Sequence, residues 1–351
     1  MKIFVDPRAN IVYSSFYIQG LVELFGKNSL CFEMKPFSTL IQNKGIEDFD
    51  QYFSFIIQSK KGEYKICIDY RDKSNLNINA LKWCDVYGKV NFNRSSNDYI
   101  IIPEELKNRI IPIGPNFGIK IWNTIQTIEK FISNYFKCYD NLPVNFRAFF
   151  SGYHWQIKRN TIDFYQKSKS DSNYVFHVSS LYKNLKGREN TNSWRAEFIR
   201  SCKNNTNCNF EGGLLIKSLD GLTVQYKDII TRKYFPPLQY IENIKKSAFV
   251  FNTPAIWNCH GWKLGEYLAL GKAIISTPFI NEMPEPMING ENILFVTTEK
   301  ELSEAVDLLL KDHWLRAHLE NGARKYYEKW LEPKKVIKRL LNKCIEEHSS
   351  R

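Results

Sequence analysis

No stretch of the 351-residue chain reaches the roughly 20 consecutive apolar residues that a membrane-spanning helix requires. The opening run MKIFVDPRANIVY lacks the extended apolar core of a signal peptide, so a soluble protein that stays in the cytoplasm is expected. The eight cysteines are scattered and form no C-x-x-C pair. No Cys or His cluster has zinc-ligand spacing either, so reduced core thiols and no metal are the expectation. There is no internal repeat, and no RRM, KH or zinc-finger signature that would make nucleic acid a partner. Acidic residues are outnumbered, with 37 Asp and Glu against 49 Lys and Arg, for a net charge of +12. Such a surface favours anionic partners such as nucleotide phosphates or lipid headgroups. What the chain does have is apolar mass: 43% hydrophobic and 15% aromatic residues suffice for globular packing, and the length suffices for two cores.

Short β-type runs alternate with helical patterns, the rhythm of an α/β protein. Strands are expected at residues 2–6, 30–34, 52–57 and 64–69, with shorter ones at 86–91 and 99–102 and another ending in the Gly-Pro turn of 109–117. Helices are expected at 16–25, closed by Gly26, and at 119–135. Residues 138–173 read as irregular, with a domain boundary near their end. A second series follows: strands at 174–179, 210–216, 248–252, 273–277 and 293–296, and helices at 193–202, 237–246 and 262–270. This divides the chain into 1–165, 174–330 and a terminal helix, 331–351. Within that helix, Val336, Ile337, Leu340, Leu341, Cys344 and Ile345 share one face and five basic residues the other. That pattern suits either an anionic membrane surface or docking on the protein's own core.

The densest chemical signal lies in residues 246–278, KSAFVFNTPAIWNCHGWKLGEYLALGKAIISTP. It reads as buried strand, polar turn, amphipathic helix, glycine stop and second buried strand. Such a βαβ unit presents a helix N-terminus at the carboxyl end of a sheet, where α/β proteins bind ligands and where free N–H groups favour phosphate. Gly261 allows close backbone approach, Lys263 can place a cation on a diphosphate, and Glu266, one helical turn on, can accept from ribose hydroxyls.

GWKLGEYLALGKAIIST resembles the donor-site helix of GT-B glycosyltransferases, where a Glu precedes an ending like LALGKPVV. The segment NEMPEPMINGENILF resembles the GENGLLF-like turn that follows in that group, and IENIKKSAFVFNTPA resembles its approach strand, close to the group 1 and exostosin-like members. HVSSLYKN and SWRAEFIRSC are similar to further parts of the lineage. The likeness covers residues 174–330. It implies two Rossmann-like domains facing a cleft, a nucleoside diphosphate sugar as donor substrate, and no separate cofactor. It also implies a saccharide or lipid-linked saccharide acceptor, and a role in surface polysaccharide or glycan synthesis. By position it implies that Glu266 holds the ribose and that Arg195 reaches the phosphates. Tyr182, Thr253, Pro254, Asn258, His260, Gly261, Trp262 and Lys263 complete the expected donor site. Many retaining members carry a second Glu eight positions earlier; here Asn258 stands there.

The first half should then bind the acceptor; WCDVYGKVN (83–91) is similar to a short segment of related transferases. Asp6 and Asp69 are the strand-end carboxylates available as a base, and Asp69, in CIDYRD beside Arg71, is the better candidate. Asp48-Phe49-Asp50 has the D-x-D spacing of a metal-dependent transferase but precedes an apolar run, which reads as a loop. Two rival functions share these features: a sugar-nucleotide epimerase of the same fold, and a non-catalytic binder of anionic polymer or membrane.

Overall fold

The computed structural model describes residues 1–42, 52–60, 62–182, 190–216 and 224–349. The chain divides into two compact units: residues 1–162, 281–285 and 329–351 form the first, and residues 163–280 and 286–328 the second.

The first unit opens with β1 (Lys2–Val5) and α1 (Ile11–Phe25). Helix α1 starts five residues before the expected position, because its early serines are accommodated inside the helix. The Ser14 and Ser15 hydroxyls donate back to the Asn10 and Val12 carbonyls at 2.6 and 3.1 Å. Gly26 ends it at φ 81°, its N–H donating to the Val22 carbonyl. Strands β2 (Leu30–Phe32), β3 (Phe53–Ser59) and β4 (Gly62–Asp69) follow, then α2 (Ile78–Trp83) and β5 (Val86–Lys89). Residues 99–101 of the strand expected at 99–102 belong instead to helix α3 (Asn97–Ile101), whose N-cap Ser96 accepts from the Tyr99 N–H. Next come α4 (Glu104–Lys107), β6 (Ile110–Pro112), α5 (Thr124–Cys138) and α6 (Phe146–Ile157). Helix α5 begins five residues later than expected, at a capping box between Asn123 and Gln126. Helix α6 occupies a stretch expected to be irregular, with Asn145 accepting from the Ala148 N–H. The six strands form one sheet in the order β2-β1-β3-β4-β5-β6, in which β3 alone runs against the rest.

The second unit contains β7 (Tyr174–Ser180), α7 (Thr191–Asn204), β8 (Asn209–Leu215), β9 (Ile230–Thr231) and α8 (Pro237–Lys246). It continues with β10 (Val250–Asn252), α9 (Trp262–Ala269), β11 (Ile274–Ser276), β12 (Leu294–Phe295), α10 (Glu299–Lys311) and α11 (His313–Tyr326). Two parallel ladders, β7-β8-β9 and β10-β11-β12, meet along β7 and β10. The seam is stitched by Ser247: its hydroxyl donates to the Phe249 carbonyl and accepts from the Phe176 N–H, while Ala248 N–H donates to the Tyr174 carbonyl. The spatial order is therefore β9-β8-β7-β10-β11-β12. Counted within the unit, that is 3-2-1-4-5-6, the doubly wound dinucleotide-binding order. Its core is built on Val175, Phe198, Phe249, Phe251 and Ile275, all buried.

Helix α12 (Pro333–Ser349) returns to the first unit and packs on α1. Val336, Ile337, Leu340 and Cys344 are buried there. Gly20 on α1 makes the approach possible: a Cβ at that position would stand 2.3 Å from the Pro333 carbonyl oxygen. The apolar face of the terminal helix is thus taken by the protein itself, which removes it as a membrane-lying surface. Among the described residues no helix is long and apolar enough to cross a membrane.

Candidate functional site

In a doubly wound sheet the strand order reverses between the first and fourth strands, and ligands bind at the carboxyl ends there. A cavity of about 190 Å³ lies at that point of the second unit. His177 of β7 and Phe251 and Asn252 of β10 form its floor. Tyr182, Arg195, Thr253 and Ala255 contribute from loops and α7, and Gly261, Trp262 and Lys263 from the start of α9. The structure thus brings together Tyr182, Arg195, Thr253, Gly261, Trp262 and Lys263 from the expected donor site.

The sequence positions each of these by local chemistry. The Asn192 side chain grips the backbone of Tyr182 in both directions, accepting from its N–H at 3.0 Å and donating to its carbonyl at 2.8 Å. Arg195, buried on α7, donates to the Ser180 carbonyl at 3.0 Å, and its guanidinium lies 4.7 Å from the Tyr182 ring centre. Lys263 turns its ammonium group inward onto the Val178 carbonyl at 2.5 Å. Burial, aided by the neighbouring Arg195 charge and opposed by Glu266, pulls the Lys263 pKa down to about 7. Two cations converge on one small cavity, so an anion entering it is met by charge and returns the lysine to its protonated form.

The N-terminus of α9 opens onto the same cavity. Gly261 is its N-cap at φ −74°, no side chain caps the helix, and its first turn carries no acidic residue. No described residue lies within 4 Å of where a Gly261 Cβ would stand. Neither backbone conformation nor packing demands glycine here, in contrast to Gly20, and the vacant space faces the cavity. The turn leading to the helix is conformationally costly. Trp257 and Asn258 are consecutive non-glycine residues with φ of 56° and 57°, each costing about 1 kcal/mol or more. Asn tolerates this region and Trp does not, so Asn258 has a conformational role in the turn.

Glu266, Asn258, His260 and Pro254 do not line the cavity. Glu266 is buried one turn along α9. His260 is buried with its ring edge-on to Phe279. Pro254 gives its carbonyl to the Thr191 hydroxyl. A polar ladder runs behind Thr253, with the Thr277 hydroxyl donating to the Thr253 hydroxyl and the Asn252 amide donating to Ser276.

Four cavity residues lie outside the expected set: Phe251, Asn252, Ala255 and His177, the last with the most chemistry. His177 is buried, its Nε2 lies 3.0 Å from the Ser179 hydroxyl, and its Nδ1 has no hydrogen-bond partner among the described residues. Burial, then the charges of Lys263 and Arg195, push its pKa well below the usual histidine value, so it stays neutral. The only sequence signal was a polar residue inside an otherwise apolar strand.

Asp69 requires a correction. It lies at the carboxyl end of β4 and is fully buried. Its oxygens accept from the Arg71 N–H, Nε and Nη2 at 3.0, 2.9 and 2.6 Å and from the Tyr87 hydroxyl at 2.5 Å, and Lys89 Nζ stands 3.0 Å away. Burial alone would raise its pKa. The charges of Arg71 and Lys89, with the hydrogen bonds from Arg71 and Tyr87, prevail and hold it well below the usual carboxylate range. A general base needs an accessible oxygen and a pKa near the working pH; Asp69 has neither and serves as an ion-pair centre. Asp6 at the end of β1 makes the same fork with Arg8, at 2.9 Å from N–H and Nε and 2.7 Å from Nη2. Asp48 and Asp50 lie outside the described residues, and among the described residues no group of three potential ligands could hold a metal ion.

The second unit therefore has the strand order of a doubly wound α/β fold, with a cavity at its switch point lined by Arg195 and Lys263. No family model and no curated protein matches the chain. Solved structures similar to it are glycosyltransferases. TarM of S. aureus, in a complex with UDP, is 12% identical, covering 83% of this chain and 61% of that one at a TM-score of 0.42. A glycosyltransferase from Rickettsia africae is 13% identical, covering 79% and 69% at 0.44. HepE of Anabaena, in complex with UDP-glucose, is 14% identical, covering 78% and 82% at 0.38. In another TarM structure the chain spans 50% of the length.

Proposed function

We propose that the protein is a GT-B glycosyltransferase that moves a sugar from a nucleoside diphosphate sugar to a hydroxyl of a saccharide or lipid-linked saccharide, in the synthesis of a surface polysaccharide or glycan. The observation that carries this reading is the cavity at the switch point, where Arg195, Lys263 and the uncapped N-terminus of α9 meet. At about 190 Å³ it is smaller than the roughly 300–1,000 Å³ of whole-ligand sites. It suits one portion of a nucleotide sugar, and its charge selects the diphosphate.

In the transferase reading, the bond from the anomeric carbon to the diphosphate oxygen breaks, the acceptor oxygen bonds to that carbon, and the acceptor's proton passes to the departing diphosphate or to solvent. Negative charge grows on the departing diphosphate, and fixed cations with a helix N-terminus stabilise that charge more than they stabilise the ground state. Glu266 takes the ribose and His177 offers its Nδ1 toward the ligand. The reaction as read here needs no metal. The test is a thermal-shift panel of nucleotides and nucleotide sugars, beginning with UDP and UDP-glucose. One nucleoside diphosphate should stabilise the protein selectively, and Lys263→Ala and Glu266→Ala should each abolish its binding in calorimetry. A panel without response, or unchanged affinity in both variants, overturns the reading.

A further inference from the structure

Helix α5 carries an apolar stripe on its solvent side. Its inward face mixes buried Thr127 and Asn134, each 1% exposed, with buried Cys138 and half-buried Phe131 and Tyr135. Asn134 donates to the Tyr153 hydroxyl at 2.9 Å and Thr127 accepts from the Gln156 amide at 3.1 Å. The apolar residues face outward, with Ile125, Ile128, Ile132 and Phe136 exposed by 69, 51, 48 and 70%. Their spacing of three and four residues lays one stripe along the helix. Helix α6 extends it with Phe146 and Phe150, which stack on each other and pack edge-on to Phe131 between the helices. Scattered exposed apolar residues are ordinary, but a continuous stripe over two helices is a surface made to be covered.

Charge indicates what covers it. Residues 119–160 contain six Lys or Arg and two Asp or Glu, in a chain whose net charge is +12. Arg147 on α6 and Lys158 at its C-cap are exposed, as is Lys130 on α5, whose ammonium lies 5.7 Å from the Phe32 ring centre. An apolar stripe rich in Ile and Phe, flanked by lysine and arginine, combines the two attractions that hold a helix in the plane of an anionic bilayer surface. We propose that the α5–α6 hairpin docks the protein onto an anionic lipid membrane. This does not rest on the transferase reading.

The full chain is tested by co-sedimentation with phosphatidylcholine vesicles, with and without phosphatidylglycerol. Wild type should sediment with the anionic vesicles, less so as salt rises. The triple variant Ile128→Ser, Ile132→Ser, Phe136→Ser should lose vesicle affinity by about tenfold or more. Because these side chains are exposed, its melting temperature and its response to nucleotides should not change. Should that variant fold poorly, Arg147→Glu with Lys158→Glu provides the second arm and should weaken binding to anionic vesicles selectively. The proposal is overturned if wild type ignores both vesicle types, or if the variants bind as wild type does. It is equally overturned if wild type forms a dimer in light scattering that the triple variant abolishes, since a second copy then covers the stripe.

Discussion

Replacing Gly261 with Ser separates stability from ligand binding. The residue is the N-cap of α9 at φ −74° and ψ 161°, a conformation serine adopts without strain, and its Cβ would meet no described residue within 4 Å. A serine hydroxyl there can accept from the first-turn N–H groups, which improves the cap by a few tenths of a kcal/mol over glycine. Loss of glycine from the unfolded chain adds about 0.4–1 kcal/mol. The variant should therefore melt about 2–4 °C higher. The same atoms project into the cavity and compete with the diphosphate for the helix N-terminus, so nucleoside diphosphate affinity should fall at least about tenfold, or 1.4 kcal/mol. Thermal melts and titration calorimetry on one preparation measure both effects. A stabilised variant with unchanged affinity refutes the placement of the diphosphate at α9.

Lys263 links binding to pH. With its pKa near 7, it is largely neutral at pH 8–9 in the empty site and must take up a proton when a diphosphate binds. Affinity should weaken as pH rises from 7 to 9, and calorimetry in buffers of different ionisation enthalpy should show proton uptake that Lys263→Met removes. Asp69→Asn leaves the buried Arg71 and Lys89 without their shared counter-charge and should cost about 3–5 kcal/mol in chemical denaturation. Because the folded-state pKa of Asp69 is lowered, its contribution is complete above the unfolded value of 3.8 and is lost as pH falls below it toward the folded value. Gly20→Ala should destabilise the first unit by about 1–3 kcal/mol, because its Cβ would overlap the Pro333 carbonyl.

The second unit was more legible than the first. Helix 237–246 was placed at its true ends because Pro237 and the Lys-Ser step punctuate it. The strands around the donor helix are short apolar runs bounded by polar turns, so their centres were plain and only their ends shifted. The same signal failed at Tyr99–Ile102, where an apolar run suits strand or helix and Ser96 as N-cap decides for helix. Helix α6 was hidden because FRAFFSGYHWQI places aromatics on both faces and so shows little periodicity. The reversed direction of β3 has no local signature at all, since pairing direction depends on the whole sheet. In the site, Lys263 and Gly261 stood out through their place in a βαβ unit. His177 did not, because a single polar residue in a strand acquires meaning only when the neighbouring strand places Asn252 beside the same cavity. Asp69 misled because a carboxylate at a strand end reads the same whether it faces a ligand or an arginine two residues on.

The return of α12 to the first unit has a consequence for biosynthesis. A ribosome delivers α1 almost at once, but the helix that covers it is encoded after the whole second unit, residues 163–328. At about 5–20 residues per second, the surface around Gly20 waits roughly 15–60 s for its partner. During that interval the first unit is an incomplete product with an apolar face exposed to its surroundings, while the second unit already has nearly all its parts. Order of synthesis and order of completion are therefore opposed: the unit begun first is completed last.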